Sequence, residues 1–319
     1  MGKSDALGKK LMQNNDYFAD AFNAGLFDGR TVVNPENLHS LEPDEIEIGN
    51  KETGADEVWN KSRDIIKELF VKTDGKSYYV LLGVENQSRV HTAMPLRSLM
   101  YDTFRYLKQA RDVDDKYKKA RKNGSSPKMT AEEFLSSWKY TDRLTPVITL
   151  VIYYGSDEWN GAMSLHDMFS EDIDPGILKY VPDYHINLIQ PSKIQDFDKF
   201  KSDFGTLMES IRYKDDEKEL VKLFHEKPEV DPLIGEAIGY YVDKRWCNAA
   251  NVIEGGRWNM SRAADVIEAR GEARGEAKGR LSKGAELVEI MMKKFHLSLN
   301  EACETAKISV DDYKKYMAK

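Results

Sequence analysis

Cysteine is almost missing from this chain. Cys247 and Cys303 are the two present in 319 residues, they lie far apart, and neither has a CxxC partner. Neither a disulfide framework nor a structural zinc knuckle is therefore expected. No apolar run approaches the roughly 20 residues that a membrane-spanning helix needs, so no membrane partner is expected. The polar start MGKSDALGKK has no apolar stretch of the secretory type, and a cytoplasmic location is the expectation. With 10 prolines and 21 glycines the sequence is neither collagen-like nor wholly disordered. There is no P-loop, no GxGxxG and no GxSxG, which leaves ATPase, dinucleotide-binding and α/β-hydrolase readings without support.

What is present suffices for a sizeable core: 41% of residues are hydrophobic and 32% charged, with a formal net charge of −7. The acidic balance argues against a coat-like nucleic-acid binder but leaves room for a local basic groove. Residues 11–28 place Leu11, Phe18, Phe22 and Leu26 at near-helical spacing and predict one helix. A short strand is expected near 45–48. The runs 63–72 and 77–85 flank Thr73-Asp74-Gly75-Lys76, and Asp-Gly between two β-rich runs signals a hairpin, although the charges of the first run also fit a helix. Residues 94–112 predict a helix, 113–143 a charged loop, and 146–155 (PVITLVIYYG) a strand buried on both faces. A helical stretch at SLHDMFS, a strand over 185–190 and mostly helical structure over 196–250 follow. The tail runs in tetrads, EARGEARGEAKGR, and beyond it Ser298-x-x-Glu301 and Ser309-x-x-Asp312 read as capping signals for two short helices. The expected domains are 1–255, a connector helix 256–283 and a small helical segment 284–319.

The hairpin carries the chemistry. A two-residue Asp74-Gly75 loop pairs Thr73 with Lys76, so paired positions sum to 149 and Asp64 faces Glu85. Facing carboxylates repel unless a cation or a shared proton compensates. A divalent metal is the natural compensation, because Mg²⁺ takes one or two carboxylates with waters and phosphates. Gln87, two residues beyond Glu85, points to the same face and can orient a water or a phosphate oxygen. A register slip of one residue would instead put the two carboxylates on opposite faces.

These residues bring a family into view. Asp64, the hairpin, Glu85-Asn86-Gln87-Ser88, Met94-Pro95-Leu96-Arg97 and Tyr101, followed by Pro146-Val147, Val151–Gly155 and Trp159, resemble the recombination-promoting nuclease (Rpn) / putative transposase family. That family belongs to the PD-(D/E)xK nuclease superfamily. The resemblance runs from about residue 16 onward and includes the Gly-periodic C-terminal helix. It implies an α/β fold with a restriction-endonuclease-like αβββαβ core and a helical C-terminal extension. It also implies a DNA endonuclease dependent on Mg²⁺ or Mn²⁺, related to recombination or mobile elements. Asp64 and Glu85 would be the metal-binding carboxylates and Gln87 would stand where the superfamily has its signature lysine, as it does in many relatives. Asp20 would match a supplementary acidic residue, with Asp16 and Asp28 as rivals. Losing the lysine removes a charge that would stabilise the phosphorane, and Arg97 or Arg89 are the candidates to replace it. The competing reading is a non-catalytic DNA-binding or protein-interaction module that keeps the fold. A hydrolase acting on RNA is more distant.

Lys116, Lys118, Lys119, Arg121, Lys122 and Lys128 form a basic segment without an intervening acid. Lys118, Lys119 and Lys122, with Arg97, are the candidate phosphate contacts, although a solvated surface is the commoner meaning of such a run. Arg97 is equally a candidate to pair with the carboxylates, with a plain surface arginine as the alternative. His91 has no second His or Cys nearby and is expected to be structural. The five tryptophans are expected to pack. The tetrad repeat reads as a solvated connector and a surface for homo-oligomer formation.

Overall fold

The computed structural model describes residues 2–42, 45–46, 61–62, 64–73, 76–125, 128–249, 253–254 and 256–318. In chain order the elements are α1 (Lys3–Gln13), α2 (Asn15–Leu26), β1 (Leu38–Ser40), β2 (Glu45–Ile46), β3 (Lys61–Ser62), β4 (Ile65–Thr73), β5 (Lys76–Gln87), α3 (Met94–Lys122) and α4 (Ala131–Ser136). They continue with β6 (Val147–Tyr153), α5 (Pro175–Leu178), β7 (Asn187–Ile189), α6 (Asp203–Arg212), α7 (Glu217–Glu226), β8 (Glu229–Val230), α8 (Pro232–Tyr241) and α9 (Lys244–Ala249). Last come β9 (Ile253–Glu254), β10 (Arg257–Asn259), α10 (Met260–Phe295), α11 (Leu299–Thr305) and α12 (Val310–Met317). Two compact units result, Met1–Asp216 with Val230–Lys244, and Glu217–Glu229 with Arg245–Lys319. Among the described residues no helix is long and apolar enough to cross a membrane.

The first unit is mixed α/β. Its five-stranded sheet has the order β1-β4-β5-β6-β7. β1, β4 and β5 run antiparallel, whereas β5, β6 and β7 are parallel. The hairpin register is the one that a two-residue loop dictates: Thr73 pairs with Lys76 and Ile65 with Val84. β6 lies between two parallel neighbours, and Leu150, Val151 and Ile152 are fully buried, as a strand covered on both faces requires. On one face Met94 of α3 packs with Val151 and Tyr153. On the other, Gly25 of α2 approaches Ile189 and Leu150.

The N-terminal helix breaks where 11–28 predicts continuity. Asn14 leaves helical geometry and its Oδ1 accepts from the backbone N–H groups of Asp16 and Tyr17, opening α2 afresh. The sheet edge is β1, not a strand at 45–48: Glu45 and Ile46 pair with β3 in a separate ribbon, and 47–48 lie outside the described residues. The helix expected over 94–112 runs on to Lys122, and α4 interrupts the expected loop. Asp114 and Lys118 pair at i, i+4 (2.6 Å), the last turn is basic as the helix dipole favours, and buried Tyr117 anchors this end by donating to Asp142. SLHDMFS forms only a 3₁₀ turn at His166–Met168.

Lys67 is 1% exposed, and its Nζ donates to Gln13 O (3.0 Å) and Asn15 Oδ1 (2.6 Å) at the α1–α2 break. It lies 4.6 Å from the Phe18 ring centre. Burial pushes its pKa from 10.5 down to about 8. Below pH 8 the folded state carries the cost of the buried charge. Between pH 8 and 10.5 the folded protein loses this proton before the unfolded chain does, so stability rises with pH. The unfolding free energy of the wild type, measured against Lys67→Met by urea titration, is expected to gain about 3 kcal/mol across that window. A flat difference curve would show the ammonium to be well solvated.

The second unit is dominated by the 36-residue α10. Phe224 and Trp246 pack edge to face, and Val288 packs with Ala302 and Cys303. Ser298 and Ser309 cap α11 and α12 by accepting from the N–H groups of Glu301 and Asp312. Gly271, Gly275 and Gly279 have open space around them. Cys247 and Cys303 form no disulfide.

Candidate functional site

The site is built at the mouth of the hairpin. The β4–β5 ladder ends at Ile65–Val84, and Asp64 precedes it in a bend. At this end the Asp64 side chain replaces a backbone partner: Oδ2 accepts from the Asn86 N–H at 2.9 Å. Oδ1 lies 3.5 Å from Lys9 Nζ on α1. Gly8 makes that approach possible, because a Cβ there would sit 2.9 Å from Asn86 Cβ.

Glu85 is fully buried and shares its face of the sheet with its β6 neighbour Val151. Its charge is met from α3, where Arg97 Nη2 lies 3.0 Å from Oε2. The Arg97 guanidinium is also 5.6 Å from the centre of the Tyr101 ring. Burial lowers the Arg97 pKa, but Glu85, Tyr101 and Asp64 outweigh it and the net shift is upward. Burial, then the Glu85 charge, raises the Tyr101 hydroxyl. Asp64 and Glu85 thus act on the same two α3 side chains.

Asn86 points to the other face, as the period of a strand demands, and its Oδ1 accepts from the Tyr154 hydroxyl (2.9 Å). Tyr154 stacks on Tyr241 with centroids 4.6 Å apart. Burial, then Tyr241 and Asp64, pushes the Tyr154 pKa well up. Gln87 is half-buried, its amide makes no hydrogen bond among the described residues, and its backbone carbonyl accepts from the Tyr154 N–H (2.8 Å).

The other residues singled out from sequence lie in different settings. Asp20 is 5% exposed and its carboxylate accepts from the Lys201 N–H and from the N–H and hydroxyl of Ser202. It tethers α2 to the segment leading into α6. Among the described residues no three His, Cys, Asp or Glu side chains are grouped to hold a metal, so Asp20 forms no three-carboxylate cluster with Asp64 and Glu85. Lys118, Lys119 and Lys122 are exposed on the final turns of α3, and Lys118 is engaged by Asp114. Arg89 is exposed in the loop after β5. His91 sits in the turn that opens α3, where its carbonyl accepts from the Met94 N–H.

Sequence reasoning missed Lys9 and Tyr154. No spacing rule links Lys9 to Asp64, since the contact is purely tertiary. Tyr154 was readable only as part of the β6 run, although the strand period already sets Asn86 on the face opposite Glu85.

Comparison with curated proteins and with solved structures gave no significant match. A family match does exist, and it begins beyond α3 and runs through β6, β7 and α6, leaving Asp64–Gln87 outside it. Over residues 128–231 the chain carries the pattern of the family described as "Putative transposase, YhgA-like", in line with the resemblance read from the sequence.

Proposed function

We propose that this protein hydrolyses phosphodiester bonds of DNA with a divalent metal, on a restriction-endonuclease-like αβββαβ core, in a process tied to mobile elements. The observation that carries the reading is the hairpin register. Continued past Ile65–Val84 it would set Asp64 opposite buried Glu85, with Gln87 one strand period further on. With β2, β3 and α4 set aside, the succession α2, β1, β4, β5, α3, β6 supports the core assignment, and the transposase-family match supports DNA as the substrate.

The donor set fits Mg²⁺ or Mn²⁺: Asp64 and Glu85 supply hard anionic oxygens, and waters and substrate phosphate complete such shells. When bound, the metal acidifies a water and neutralises phosphate charge. Arg97 holds the Glu85 charge until then. Its side chain is 24% exposed, so it can turn toward solvent or toward a substrate phosphate when displaced. Asn86 fixes Asp64 through its N–H, and in this reading the Gln87 amide orients the attacking water.

The test is cleavage of supercoiled plasmid by the full chain with Mg²⁺, with Mn²⁺ and with EDTA. Metal-dependent nicking is expected. An intact plasmid under all three conditions favours the alternative, a DNA-binding module in which Arg97 permanently neutralises Glu85.

The basic end of α3 gives a separate expectation. Neutralising Lys119 and Lys122 to Gln should reduce the salt slope of DNA binding by about two, close to one per lost phosphate contact. Lys118→Gln should change it less, because Asp114 already engages that ammonium. An unchanged slope in the double variant would remove this helix end from the DNA surface.

A further inference from the structure

A cavity of about 520 Å³ opens at the carboxyl ends of the parallel strands β5 and β6, where open α/β sheets place their ligands. Its aromatic wall is graded in exposure. Tyr154 and Tyr241 are 3% and 8% exposed and stack on each other, whereas Tyr240 is 38% exposed and meets Tyr241 edge to face at 5.0 Å. Tyr240 is thus the ring of this wall most open to a stacking partner. Arg89 and Lys214 line the same cavity, both exposed and without an ion pair among the described residues. Lys3 Nζ lies over one face of the Tyr240 ring, 5.7 Å from its centre, so a stacking partner would take the other face. Asp157 supplies a carboxylate acceptor.

An exposed ring, two cations and a carboxylate lining one cavity together match a base, its phosphates and an exocyclic amine. The volume is of the size that holds such a ligand. A bare phosphate would leave Tyr240 unused, and an apolar ligand would leave the cations uncompensated. We propose that this cavity receives one unpaired nucleotide of a DNA strand, its base stacked on Tyr240, its phosphates on Arg89 and Lys214, and an amino group toward Asp157. Resting on the phosphodiester reading above, this makes single-stranded or locally unpaired DNA the substrate class of the adjoining carboxylate site. The two are physically continuous: Tyr154 donates its N–H to Gln87 O and its hydroxyl to Asn86, whose own N–H holds Asp64.

The experiment is fluorescence anisotropy of a short labelled single strand and of its duplex, in EDTA, with wild type, Tyr240→Ala and Tyr240→Phe. The single strand is expected to bind more tightly than the duplex. Tyr240→Ala should weaken single-strand binding about 5- to 100-fold, the range of one lost base–aromatic stack, and Tyr240→Phe should not. Duplex binding, which does not use the ring, should be alike in all three and shows that the variants are folded. Duplex preference, or a Tyr240→Ala protein that loses nothing or loses equally on both ligands, overturns the proposal. Because no cleavage is read, the two ideas fail separately. This binding pattern with an uncut plasmid sinks the nuclease and spares the cavity. Metal-dependent nicking with unchanged Tyr240→Ala binding does the reverse.

Discussion

Glu85→Gln and Asp64→Asn are each expected to lower metal-dependent plasmid nicking by at least about 10²–10³-fold, the scale for removing one preorganised electrostatic group. Each change keeps the shape of the side chain and deletes the anionic oxygen that would hold the metal. The folds should survive. Asn at 64 retains an oxygen to accept from the Asn86 N–H. Gln at 85 leaves Arg97 without its partner, but that side chain is partly exposed and can be solvated. Thermal unfolding within a few degrees of wild type, alongside lost nicking, is the expected pair of results. Either amide variant nicking at the wild-type rate would remove that carboxylate from the reaction. Loss in one variant alone would reduce the site to a single anchoring carboxylate.

The part of this site that could be read from sequence is the part set by local geometry. A two-residue Asp-Gly loop fixes Thr73 against Lys76, and every pair down to Ile65–Val84 follows from the period of two. The buried run at 147–153 and the serine caps at 298 and 309 are equally local. What escaped depends on contacts distant in sequence or on single polar residues. The break at Asn14 is invisible to apolar periodicity, because Leu11, Phe18 and Phe22 keep helical spacing across it. The last turns of α3 lack an apolar stripe and are held by an Asp114–Lys118 pair and one anchoring tyrosine. β1 is three residues long, too short to carry an alternation. Asp20 shows the same limit: a helix position cannot reveal that its carboxylate is spent on the backbone of Lys201 and Ser202. Carboxylates at 64 and 85 were legible as a charge to be compensated, with Arg97 a candidate to pair with them, whereas Lys9 reaches Asp64 from α1 by a contact that no spacing reveals.

That compensation leads to the second large effect. Arg97→Met should destabilise the protein by about 3 kcal/mol, the lower end of the cost of leaving a buried charge without its partner. Glu85 is fully buried, so water cannot take over the role of the guanidinium. Adding Glu85→Gln to Arg97→Met should recover most of the loss, since the amide carries no charge to leave stranded; the non-additivity of this cycle measures the pair itself. Divalent cation separates this from simple lost packing. In the proposed site a metal entering the wild type would have to displace Arg97 from Glu85, whereas in Arg97→Met that guanidinium is gone and only Lys9 still engages Asp64. Millimolar Mg²⁺ should therefore raise the melting temperature of Arg97→Met more than that of the wild type, by mass action on the folded state. Arg97→Met/Glu85→Gln should lose this response. Equal Mg²⁺ shifts in all three proteins would mean that the metal binds elsewhere. A destabilised Arg97→Met that ignores Mg²⁺ would show that Glu85 holds the guanidinium for structural reasons alone.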